Sequence, residues 1–125
     1  MNKEIILILI AFACHFFGDF IFQSNWMALN KSASLKALLI HVLTYTFVFF
    51  VVGCFLFVHF NNDYRFFYLA LITSGLHFCT DIWTSKVNSY LHKNSTIHYF
   101  FVGVGFDQLI HAVCLILTIH YLFGF

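Results

Sequence analysis

Four long apolar runs separated by short polar breaks organise this chain: Ile5 to Phe22, Leu35 to Val58, Phe66 to Trp83 and His98 to Leu122. Each is long enough to cross a hydrocarbon core of roughly 30 Å as a helix rising about 1.5 Å per residue. The first run, 18 residues from Ile5 to Phe22, spans about 27 Å. The pattern predicts an all-α fold, an integral membrane bundle of four transmembrane helices, up-down-up-down, in a single domain over residues 1–125. Proline is absent, so no span carries a proline kink.

The breaks differ in character. Ser24 to Ser34 is only partly polar, and Trp26 with Lys31 marks it as a segment at the headgroup boundary, where a short interfacial helix is expected. Ser34 is placed to cap the second span. Asn61-Asn62-Asp63 reads as a tight turn between the second and third spans. Thr84 to Ile97 is the most polar stretch and reads as a connection, closing on the helix-start signal Asn94-Ser95-Thr96. At the N-terminus, Lys3 followed by Ile5 to Ile10 and Ala11-Phe12-Ala13 resembles a secretory signal. The apolar run continues past that triplet to Phe22, so a retained span is expected.

Composition agrees: 62% of residues are hydrophobic, 9% are charged and the mean hydropathy is +0.89, whereas charged residues make up about a quarter of a soluble domain. The net charge of +1 comes from Lys and Arg scattered singly, with none of the basic clusters that nucleic acid requires. Lys31, Lys36, Lys86 and Lys93 flank the connections after spans one and three; only Lys3 and Arg65 lie on the other side. That bias predicts a multi-pass protein of the inner (plasma) membrane with both termini outside. The expected partner is the lipid bilayer, and so small a bundle is compatible with a homo-oligomer or a partner membrane protein. Cys14, Cys54, Cys79 and Cys114 fall one per span, which argues against a disulfide framework and for small side chains in helix packing.

The chemistry lies in polar residues inside the spans. His15 and Asp19 are four apart in the first, His77 and Asp81 in the third, Asp107 and His111 in the fourth, and His41 stands alone in the second. A spacing of four puts each pair on one helix face. All seven fall at similar depth towards the lysine-rich side, so the four stripes converge on one cavity. Left unpaired in lipid, three aspartates would cost on the order of 8 kcal/mol. A divalent cation offsets that, since structural zinc sites in peptides are worth roughly 10–16 kcal/mol.

Mixed imidazole and carboxylate ligation suits zinc first, then iron, manganese or nickel. Four histidines and three aspartates exceed one tetrahedral site; the surplus fits two metals bridged by a carboxylate, or one metal whose ligands are oriented by the remaining residues. A metal-free His–Asp hydrogen-bond network or proton relay is the alternative. Asp19, Asp81 and Asp107 are the candidate bases. Gln23 and Gln108 suit orientation of a ligand or substrate, or hydrogen bonding at helix ends. Lys31 and Lys86 suit attraction of a phosphate headgroup, or anchoring at the inner face. His59, His92, His98 and His120 lie at span ends or in connections, where a solvated role is expected.

In His15-x-x-Gly18-Asp19-x-x-x-Gln23 with Trp26 and Lys31, the isolated His41, His77-x-x-x-Asp81 and Asp107-Gln108-x-x-His111, the chain resembles a family of small prokaryotic and phage-encoded membrane proteins filed as domain of unknown function three-three-zero-seven. That resemblance covers nearly the whole chain and implies no established activity. The chain is also distantly similar to membrane-bound metal-dependent hydrolases, which place His and Asp near one end of apolar helices. The second resemblance implies a hydrolase, and the first expectation is a membrane-embedded metal-dependent hydrolase acting on an ester or phosphoester of a lipid or lipid-linked molecule at the cytoplasmic surface. Transport or sensing of metal or protons is a second class, and a non-catalytic subunit with a structural His/Asp network is a third.

Overall fold

A computed structural model of the chain describes residues 2–124. Five α-helices account for nearly all of it: α1 (Lys3–Phe16), α2 (Asn25–Asn30), α3 (Leu35–His59), α4 (Arg65–Asn94) and α5 (Ile97–Phe123). Between α1 and α2 the backbone widens into a π-helical turn, Phe17–Ile21, in which the Phe22 N–H reaches back five residues to the Phe17 carbonyl at 2.9 Å. Counting that turn with α1, four helices are long and apolar enough to cross a membrane.

The capping serines and the asparagine turn act as the sequence leads one to expect, whereas Thr96 stands at the N-cap of α5 without a side-chain hydrogen bond. The Ser24 hydroxyl accepts from the Met27 N–H at 3.2 Å and starts α2, and Ser34 accepts from the Ala37 N–H at 3.3 Å and starts α3. Asn61 and Asn62 adopt left-handed conformations with φ of 55° and 61°, which turn the chain sharply between α3 and α4. Gly124, at φ 69°, closes α5.

One boundary differs. The third span, α4, does not stop at Trp83 but continues through the polar stretch to Asn94, leaving only Ser95 and Thr96 before α5. Thr84, Ser85, Asn88, Ser89, His92 and Lys93 recur at helical spacing on one face. Their polarity therefore marks the lining of a cavity on a continuing helix rather than a loop. With 30 residues, about 45 Å long, α4 exceeds the hydrocarbon thickness.

The helices close into a square. α1 packs on α3 and α5, α3 on α4, and α4 on α5, with α2 lying against α3. With short connections throughout, the order is up-down-up-down. At the end bearing the α3–α4 turn the interior is apolar, built from Leu7, Ala11, Phe49, Phe66, Leu69 and Ile119 among others. Outward positions such as Phe47, Phe55, Val58 and Leu117 are exposed and apolar, as lipid contact requires. Threonine and serine hydroxyls inside the spans bond back to the carbonyl four residues earlier, as Thr73 does to Leu69 at 2.7 Å and Thr118 to Cys114 at 2.7 Å. In lipid this satisfies them without water. Among the described residues the four cysteines are free, and only Cys14 is buried.

Candidate metal centre

His15, Asp19, His41, His77, Asp81, Asp107 and His111 come together in the interior, all of them buried. They arrive from four directions. α1 brings His15, the π-helical turn brings Asp19, α3 brings His41, α4 brings His77 and Asp81, and α5 brings Asp107 and His111. The close approach of the π-helical turn to α3 depends on Gly18, where a Cβ would meet the Tyr45 Cα and Cδ2 at 3.1 Å. Tyr45 in turn stacks face to face on His77, with centroids 4.0 Å apart and planes at 7°, and fixes that imidazole.

Four atoms converge most closely. His41 Nε2 lies 3.0 Å from His77 Nε2, 3.1 Å from Asp19 Oδ1 and 3.2 Å from Asp81 Oδ2; His77 Nε2 lies 3.7 Å from each of the same two oxygens. A tetrahedral ion with bonds of about 2.0–2.1 Å sets its ligand atoms about 3.3–3.4 Å apart, the middle of this range. The Asp19 Oδ1 atom is buried and accepts no hydrogen bond, although His41 Nε2 is 3.1 Å away. A lone pair directed at a shared centre accounts for that better than a misaligned donor does. Two nitrogens and two oxygens fit a divalent transition metal.

The remaining groups hold these four side chains from behind. Gln108 Nε2 donates to Asp19 Oδ2 at 3.1 Å and to Asp107 Oδ2 at 3.2 Å, while its Oε1 accepts from His15 Nε2 at 3.0 Å. His111 Nε2 lies 3.1 Å from Asp81 Oδ1, and its Nδ1 lies 3.3 Å from His77 Nδ1. A His77 that offers its Nε2 lone pair carries its proton on Nδ1 and donates to His111. His111 then carries its own proton on Nε2 and donates to Asp81. Asp19 is thus engaged through Oδ2 and leaves Oδ1 without a hydrogen bond, whereas Asp81 is engaged through both oxygens, Oδ1 with His111 and Oδ2 with Lys31. Two further groupings have metal-binding spacing, His15 with His77 and His111, and Asp81 with Asp107 and His111.

Lys31, at the end of α2, reaches into the cluster. Its Nζ is 3.0 Å from Asp81 Oδ2, 3.4 Å from His41 Nε2 and 3.7 Å from Asp19 Oδ1. Burial acts to lower its pKa, but the carboxylates of Asp81 and Asp19 outweigh it and hold the ammonium above its ordinary value.

A cavity of about 390 Å³ lies over the cluster. Asp19, Asp81, Asp107, Lys31 and Gln108 border it on one side, and the polar face of α4 from Thr84 to Lys93 on another, with Phe20, Leu29, Phe100 and Val104 completing its walls. Gln23 also borders it, with an Oε1 that has no hydrogen-bond partner. Lys86 is exposed and is not brought to the cavity. His59, His92, His98 and His120 are all exposed, and of these only His92 borders it. Sequence reasoning missed the α4 wall, although the repeat of polar residues at 84, 85, 88, 89, 92 and 93 carried the signal.

No curated protein and no solved structure matches the chain. The model of the family described as Protein of unknown function (DUF3307) matches residues 5–125, and the chain belongs to that family.

Proposed function

We propose that this protein is a membrane-embedded, metal-dependent hydrolase acting on an ester or phosphoester of a lipid or lipid-linked molecule, with its cavity facing the cytoplasm. The observation that carries this reading is the placement of a tetrahedrally spaced His₂Asp₂ set beside a cavity with walls both polar and apolar. Asp19, His41, His77 and Asp81 would hold the metal, zinc being the first choice for such ligands. When bound, it supplies Lewis acidity and lowers the pKa of water.

The other residues then divide the work. Asp107 borders the cavity with a buried Oδ1 that accepts no hydrogen bond, which makes it the candidate general base. Gln108 and His111 orient Asp19, His77 and Asp81. Phe20, Leu29 and Phe100 give an acyl or prenyl chain an apolar surface beside the polar floor. Lys31, Lys36, Lys86 and Lys93, which all belong to the cavity end, support the cytoplasmic orientation.

Elemental analysis of detergent-purified protein tests the metal, and hydrolysis of a chromogenic phosphoester in mixed micelles tests the reaction. Stoichiometric metal that is lost in His41→Ala, with turnover abolished in Asp107→Asn while its metal is retained, is expected. Purified protein without bound metal overturns the reading. Lys31 favours a second one: its ammonium already balances Asp19 and Asp81, as a purely structural ion-pair network would require. In that case, substitutions in the cluster lower stability and no turnover is found.

A further inference from the structure

Lys31 sits deeper than a cavity-lining cation needs to. Its Nζ approaches three of the four atoms of the His₂Asp₂ set, at 3.0, 3.4 and 3.7 Å, and its side chain is 17% exposed. A divalent cation would take the same lone pairs, above all that of Asp81 Oδ2. Two cations on one pair of buried carboxylates repel strongly at low dielectric. The ammonium and the metal are therefore alternative occupants of the same two charges.

Lys31 can yield. It caps the end of the six-residue α2 outside the membrane-crossing helices, on a four-carbon stem, and it borders the open cavity. Around that space stand Ser32, Ser85, Asn88, Ser89 and the exposed Lys93. An ammonium moved off the carboxylates would join Lys93 among neutral donors. Two point charges with hydroxyl and amide donors suit a tetrahedral phosphoryl group.

On the metal reading above, we infer that Lys31 is the internal counter-cation of the metal-free site and, once a divalent cation displaces it, the residue that anchors the phosphoryl group of the substrate. The charge of the metal thereby releases a second cation for the anion that the reaction needs. Loading the site and preparing it for a phosphoester become one event.

Amine acetylation of the detergent-solubilised wild-type protein, read residue by residue by mass spectrometry, tests this without a mutation. One equivalent of Co²⁺, whose visible bands report binding, should raise the acetylation rate of Lys31 at least tenfold relative to Lys36. Bound Co²⁺ with unchanged Lys31 reactivity overturns the inference and leaves the metal site standing; failure to bind Co²⁺ overturns both. Inorganic phosphate and dodecyl phosphate, added separately to the loaded protein, distinguish the source of the anion. Protection of Lys31 by either supports the phosphoryl assignment, protection by dodecyl phosphate alone assigns it to an amphiphile, and protection by neither overturns it. Lys31→Gln should bind Co²⁺ at least tenfold more tightly than wild type; equal or weaker binding overturns the counter-cation role.

Discussion

Each helix of the square changes character partway along, and the change falls at the same level in all four. α1 passes from Leu7 and Ala11 to His15; α3 passes from Tyr45 and Phe49 at one side to His41 at the other; α4 runs from Phe66 and Leu69 to His77 and Asp81; α5 runs from Ile119 and Leu115 back to His111 and Asp107. At the end near the α3–α4 turn the inward positions are apolar, and at the other they are ionisable. In lipid, apolar faces gain little from avoiding water, so the first end is held by close packing. The second is held by specific partners, and removing any one of them leaves another buried group uncompensated. The first end can tolerate approximate fit, whereas the second needs particular atoms.

The strongest way to break this comparison is to remove one inward residue from each end. Asp81→Ala withdraws the partner of Lys31, His41 and His111 together. It should abolish metal binding and cost about 3–5 kcal/mol, the usual result of breaking a buried charged pair. Leu115→Ala, at a site 2% exposed in the apolar end, should cost about 2–3 kcal/mol by leaving a cavity. It should leave the metal content intact. Thermal unfolding in detergent beside elemental analysis reads both. Loss of metal from Leu115→Ala would show that the two ends are not separable.

Gly18 sharpens the comparison at the boundary between them. Alanine there drives a Cβ to 3.1 Å from the Tyr45 backbone and ring, an overpacking worth about 1–3 kcal/mol. Because Asp19 follows directly and Tyr45 stacks on His77, the strain should reach the ligand set. Metal affinity measured by competitive titration should fall more than stability does. Equal affinity in Gly18→Ala would mean that the π-helical turn positions nothing.

The convergence of the four stripes was legible because a spacing of four inside an apolar helical run fixes the shared face: His77 and Asp81, or Asp107 and His111, can only point the same way, and in lipid that way is inward. The capping serines and the Asn61-Asn62 turn were legible because each acts on its own neighbours. What escaped is non-local or masked by composition. Thr84 to Lys93 reads as a loop on polarity alone, and only the existence of a facing cavity makes its periodicity meaningful. The reach of Lys31 to Asp81, 50 residues away, and the division of the Asp19 carboxylate into a held and an unpartnered oxygen depend on helix rotation, which spacing does not specify. The π-helical turn that aims Asp19 has no composition of its own.

The smallest expected effect belongs to the ion pair that Asp63 and Arg65 form at the apolar end. Asp63 bonds the Arg65 guanidinium at 2.7 Å and the Arg65 N–H at 3.0 Å, and that guanidinium lies 4.8 Å over the Phe123 ring. The hydrogen bond to Arg65 lowers the Asp63 pKa below its ordinary value, against a small opposing effect of burial. A carboxylate with a depressed folded pKa stabilises above its unfolded value, near 4, and that stabilisation is lost as pH falls through the folded pKa. The pair lies at the surface, so solvent screening holds its worth to about 0–1 kcal/mol. Asp63→Asn should therefore lower the melting temperature slightly at neutral pH, and the gap from wild type should close below about pH 4. Its metal content should be unchanged. A loss as large as that of Asp81→Ala would mean that the apolar end also depends on a particular charge, and the contrast between the two ends would be gone.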